Sequence, residues 1–186
     1  MKAVLMSIQP RWCKLIASGK KTVEVRKTKP KLETPFKVYI YCTKDNTDIV
    51  PSRILWKADE TGFEHILNGK VIGEFVCDKI YDITPHFDTP TFPNQYICGW
   101  EYGKEFDCLS FEELTAYLSG KNGYGWHISN LVIYDKPREL GEFFLACDKP
   151  NGTDCSVCLD RRENRCKAIT RPPQSWCYVE RSESDG

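Results

Sequence analysis

Ser7-Ile8-Gln9-Pro10-Arg11-Trp12, followed by Ile16-Ala17-Ser18-Gly19-Lys20-Lys21-Thr22-Val23-Glu24-Val25-Arg26, is the stretch on which the fold of this chain turns. Its lead-in, Val4-Leu5-Met6-Ser7-Ile8, is a short apolar run of strand length and reads as a buried strand. Gln9-Pro10 then opens a helix, because a proline at the first helical position gives up an N–H that would have no partner there. Trp12, Leu15 and Ile16 recur at helical spacing, and Gly19 supplies the residue that ends such a helix. Thr22 to Arg26 alternates strictly. Val23 and Val25 face a core, while Thr22, Glu24 and Arg26 share the opposite face of one strand.

The rest of the chain extends this strand–helix–strand unit. Phe36-Lys37-Val38-Tyr39-Ile40-Tyr41-Cys42 is rich in β-branched and aromatic residues and predicts a strand. Residues 44–68 read as an irregular insertion, and Gly69-Lys70 turns into a strand over Val71 to Cys77. Residues 84–109 carry Pro85, Pro90 and Pro93 and read as a long loop. Ser110-Phe111-Glu112-Glu113 is a capping box that starts a helix with Leu114, Tyr117 and Leu118 on its buried side. A Gly123-Tyr124-Gly125 hinge leads into a strand from Trp126 to Tyr134, and Pro137 opens a last short helix with Leu140, Phe143 and Phe144. Many strands and few helices predict an α+β chain: a small, mixed, partly closed β-barrel with flanking helices, not a doubly wound sheet.

The chain has 186 residues and a formal net charge of zero, which argues against a protein that coats long nucleic acid by charge alone. The charges are unevenly placed. Residues 1–33 hold nine Lys and Arg against Glu24 and Glu33, a net of +7, while residues 84–113 carry a net of −5. That asymmetry predicts an anion-attracting end, the alternative being a solvated basic surface. The N-terminal apolar run is too short for a signal peptide or a membrane span, so a cytoplasmic protein with reduced thiols is expected.

The quoted motif resembles the signature of the ASCH domain, a member of the PUA-like β-barrel superfamily. The later Gly73-Glu74 strand and Gly125-Trp126-His127-Ile128-Ser129 fit the same family. The resemblance implies a barrel domain over residues 1–145 with a cleft beside the motif, and a role in binding RNA or a nucleotide-like small molecule.

Read as chemistry, the motif suits such a ligand. Arg26 offers a planar fork for phosphate or a base edge, and Lys21 a point charge. Glu24 can accept from an exocyclic amino group or orient Arg26. Tyr124 and Trp126, beside glycines, are candidate stacking faces, and Ser7 and Thr22 complete the expected ligand-binding set. Other readings stand beside these. Glu24 and Arg26 also suit a structural ion pair, Trp12 and Trp126 suit a core, and His127 suits a structural histidine.

An enzyme is the alternative to a binding module. One branch of the family resembles amidohydrolases that deacetylate acetylated cytidine with a lysine, a threonine and a glutamate. Lys21 matches the lysine and Glu74 the glutamate, but the threonine position is Glu24 here. A nuclease using Glu24 and Glu74 is the second form of this reading. The catalytic set, for either, is Lys21, Glu24 and Glu74.

Beyond residue 145 the composition changes, with five of the ten cysteines in the last forty residues. Cys147, Cys155, Cys158 and Cys166 place a tight two-residue knuckle between two equal spacers, a pattern that predicts a structural zinc site, the alternative being a flexible insertion with free thiols. Residues 146–180 are expected to form this Cys-rich appendage and to pack back on the barrel through Trp176-Cys177-Tyr178-Val179. Residues 181–186 are expected to be a disordered tail. If Cys147 belongs to the core, Cys177 takes its place as ligand.

Overall fold

The computed structural model describes residues 2–44, 56–58, 64–86, 95–98, 108–146 and 168–180. Within them lie the strands β1 (Lys2–Ile8), β2 (Val23–Arg26), β3 (Phe36–Cys42), β4 (Trp56–Ala58), β5 (Glu64–Ile66), β6 (Val71–Cys77), β7 (Ile80–His86), β8 (Gln95–Cys98), β9 (Gly123–His127), β10 (Ser129–Arg138) and β11 (Trp176–Glu180). The helices are α1 (Pro10–Ala17) and α2 (Phe111–Leu118), with a single 3-10 turn at Leu140–Glu142. The chain divides into two compact units: Met1–Lys14 with Lys37–Phe75 and Leu131–Gly186, and Leu15–Phe36 with Val76–Asn130.

The first unit is built on a five-stranded sheet in the order β10-β6-β3-β1-β11. β1 runs parallel to β3 and antiparallel to β11. It is buried almost throughout, as an uninterrupted apolar run should be when both faces are covered. Ala3, Leu5, Tyr39, Tyr41, Val71, Phe143, Ile169 and Val179 form its core, with the Tyr39 and Phe143 rings edge to face at 4.9 Å. Bridges from Phe144 to Ala168 and from Leu145 to Val179 tie both flanks of residues 147–167 to this sheet.

The second unit carries a four-stranded sheet, β2-β9-β7-β8, whose adjoining pairs are antiparallel. Helix α2 lies on it through Leu114 and Leu118, which pack with Val25, Ile83 and Tyr96. Both halves of the Ser110–Glu113 capping box are formed.

The partly closed barrel expected from the sequence is not what the strands make. Closure needs a partner for the strand at each edge of a sheet. Among the described residues β10 and β11 edge one sheet, β2 and β8 the other, and the latter two are only four residues long.

Other expectations also change. The insertion at 44–68 contains the β4–β5 hairpin, and the long loop contains β8. The Gly123 hinge is strand, and the run from Trp126 to Tyr134 is two strands. Ile128 N–H turns to the Thr22 carbonyl at 2.8 Å, and Asn130 takes a left-handed conformation at the break (φ 46°). Pro137 lies in β10, and the helix expected after it is the 3-10 turn.

Candidate nucleic-acid interface

The motif strand β2 is buried along its whole length, charged residues included. Glu24 and Arg26 alternate with Val23 and Val25, so the valines enter the core and the charged pair shares the other face. Lys21 joins them from the corner after α1. Its Nζ lies 3.5 Å from Glu24 Oε2, while Arg26 Nη2 lies 3.0 Å from Glu24 Oε1. Lys21, Glu24 and Arg26 are only 2%, 6% and 8% exposed. One carboxylate therefore bridges two cations in a place with little water.

The neighbouring strand completes this face. In the β2–β9 ladder Glu24 opposes Trp126 and Arg26 opposes Tyr124, and Asp82 of β7 opposes Tyr124 in turn. Tyr124 is half-buried, and the Lys29 ammonium stands 4.8 Å from its ring centre. Lys29 also reaches Asp82 at 3.5 Å, at the exposed rim. Trp126 departs from the expected stacking role. It is fully buried, and its ring meets Phe36 edge to face at 5.6 Å, so it is a core residue under the site, without an open face for a base.

Tyr117 is the residue that sequence reasoning placed wrongly. It was expected on the buried side of α2, yet it is 37% exposed while Leu114 and Leu118 are buried. Its hydroxyl lies beside the Arg26 side chain and the Lys27 backbone. Burial of the side chain pushes the phenol above its ordinary value, against the opposing pull of Arg26, so it stays protonated at neutral pH. The Lys27 ammonium lies 5.0 Å from the ring centre. The available signal was position: at about 100° per residue, residue 117 falls at the rim of a stripe centred between 114 and 118.

Thr22 is half-buried, and its carbonyl accepts the Ile128 N–H. Ser7 and Glu74 belong to the first unit. The Ser7 hydroxyl donates to the Pro173 carbonyl at 2.7 Å. Glu74 accepts from Lys37 Nζ at 2.7 Å on one oxygen and from the Tyr134 hydroxyl at 2.6 Å on the other. Cys147, Cys155, Cys158 and Cys166 lie outside the described residues, as does the tail at 181–186. Among the described residues no group of His, Cys, Asp and Glu is arranged to hold a metal ion.

His127 lies on the opposite face of β9 from Trp126. Its Nδ1 is 2.6 Å from Asp78 Oδ1, and Tyr81 meets its ring edge to face. Partial burial pushes the Asp78 carboxyl up, but the His127 hydrogen bond and charge, with help from its own backbone and Ser129, hold it below its ordinary value.

The fold is a mixed α+β, sheet-rich arrangement, as the motif implies, and the structure adds a charged cluster buried at one strand. The family model for the ASCH domain matches residues 6–112, and the chain belongs to that family, a PUA-like group generally associated with RNA binding. Among solved structures it is similar to the ASCH protein of Zymomonas mobilis, at 20% identity and a TM-score of 0.53 over 96% of this chain and 87% of that one. Two single-residue variants of that protein match equally well in fold, one at 20% identity and TM-score 0.53 (97% of this chain, 91% of that one), the other at 19% and 0.52 (96% and 88%). No curated protein matches. Among the described residues no helix is long and apolar enough to cross a membrane.

Proposed function

We propose that this protein binds RNA, or a nucleotide-like piece of it, at the Lys21–Glu24–Arg26 cluster. The observation that carries the reading is the burial of three charged groups, two cations around one carboxylate. Taking a charge out of water is expensive, and a well-packed apolar trio would be at least as stable, so an ionic cluster at such a place points to a use for it. Two cations and one anion at the end of a basic segment favour an anionic ligand. The Arg26 fork suits a phosphate or a base edge, and Glu24 holds that fork in place. The alternative, a small hydrolase, has less behind it. Both Glu74 oxygens are engaged within the first unit, which leaves Lys21 and Glu24 alone for the chemistry.

Two substitutions test the binding reading. Arg26→Lys keeps the charge and removes the planar fork, and Lys21→Met removes a charge at similar volume. Each is expected to weaken a fluorescent eight-nucleotide single-stranded RNA by about 10-fold or more. Lys21→Met is also expected to flatten the salt dependence. Unchanged affinity in both variants, with wild-type melting behaviour, overturns the proposal. Incubation with acetylated cytidine and with RNA tests the alternative: release of acetate or chain cleavage by the wild type, lost in Lys21→Met, would establish it.

A further inference from the structure

We propose that Tyr117 is a second base-stacking platform, so that the ligand is a single-stranded RNA segment of at least two nucleotides and not a lone nucleoside. This rests on the RNA reading of the Arg26 cluster and extends it to a residue outside the motif.

Tyr117 is more than a third exposed, among the few large apolar side chains so open in the described residues, with the Lys27 ammonium 5.0 Å from its ring centre and its hydroxyl beside Arg26. A core tyrosine hides its ring and leaves its hydroxyl near water. Tyr117 has its polar end turned toward Arg26 while more than a third of the residue stays open to solvent.

The same pairing recurs around Arg26. Tyr124, its cross-strand partner, carries the Lys29 ammonium over its ring, as Tyr117 carries that of Lys27. Two elements, α2 and β9, thus each bring a tyrosine with a lysine above it to one arginine. Aromatic rings interleaved with cations are what single-stranded nucleic acid asks for, since bases stack on rings and backbone phosphates take the ammonium groups. A lysine over a tyrosine gains a cation–π contact in the free protein and is replaced there by a base when it swings to a phosphate. One nucleoside has one base to stack. Two rings at one guanidinium call for two bases and the phosphate between them.

The test compares two probes, the fluorescent eight-nucleotide RNA and a 5′-mononucleotide, on the full chain. Tyr117→Leu keeps apolar volume and removes the ring, Tyr117→Phe keeps the ring and removes the hydroxyl, and Arg26→Lys reports on the primary site. Tyr117→Leu is expected to weaken the RNA by about 10-fold, and to leave the mononucleotide within about twofold. Tyr117→Phe should hold RNA affinity within about threefold of wild type. Wild-type RNA affinity in Tyr117→Leu overturns the inference while leaving the primary site intact, provided Arg26→Lys still weakens both probes. Equal losses for both probes in Tyr117→Leu also overturn it, since Tyr117 would then act only by positioning Arg26. Indifference of the RNA to Arg26→Lys and Tyr117→Leu alike, or no RNA binding by the wild type, overturns both this inference and the reading beneath it.

Discussion

Glu24 is the residue on which the site's stability depends. It is the shared partner of Lys21 and Arg26, and all three are buried. Glu24→Gln leaves the two cations facing a neutral amide. Breaking a buried ion pair from one side is expected to lose about 3 kcal/mol or more, read as a lower urea midpoint with an unchanged slope. The Asp78–His127 pair is a different case, because it lies near the surface. The Asp78 carboxyl is held below its ordinary value of 3.8, so the folded state binds that proton less readily than the unfolded chain. Its contribution is therefore complete above the ordinary carboxylate range and is lost as the pH falls through the lowered value. Asp78→Asn should flatten the acid limb of a stability–pH curve measured by urea unfolding.

At the scale of elements, close approaches of backbone decide where the strands and α2 lie. A Cβ at Gly123 would come within 2.6 Å of Leu118 Cδ2, so any larger residue there forces that buried leucine to shift. Gly123→Ala is expected to move α2 and its Tyr117, with a loss of about 1–3 kcal/mol from overpacking. At Gly73 the neighbour is main chain: a Cβ would meet the Val132 carbonyl oxygen at 2.3 Å. Backbone cannot rotate aside as a leucine can, so Gly73→Ala should be the more damaging of the two, with a larger fall in melting temperature.

For the whole molecule, the two flanks of the cysteine-rich segment pair with each other at Phe144 and Ala168, and Leu145 pairs with Val179 of the five-stranded sheet. The expected zinc ligands Cys147, Cys155, Cys158 and Cys166 lie in that excursion. Cys177, the reserve ligand, belongs to β11 and packs against the core of Ala3, Leu5 and their neighbours, and burial pushes its thiol up to about 11. Its place in β11, half-buried against that core, leaves Cys147, Cys155, Cys158 and Cys166 as the ligand set to test. Protein purified without chelator is therefore expected to carry about one zinc equivalent, retained in Cys177→Ser and lost in Cys155→Ser. Chelation should then admit protease first within residues 147–167. Less than about a tenth of an equivalent, with the segment still protease-resistant, would remove metal from the account.

The sequence by itself determined whatever depends on near neighbours. The strand–helix–strand unit, the face shared by Glu24 and Arg26 and the capping box of α2 are set by alternation, a proline, a glycine and a three-residue spacing, all acting within a turn or two. The α1 stripe was nearly legible, but Pro10, Cys13 and Ile16 are the buried line, with Trp12 and Leu15 beside it. Only the tertiary structure decided that Lys21, Glu24 and Arg26 are buried, that Trp126 is core and that Tyr117 turns outward. Burial depends on what is packed opposite, and the partners of β2 come from β9 and α2, far along the chain. A periodic pattern gives the direction of a side chain; only the packed neighbour determines whether that direction leads to water.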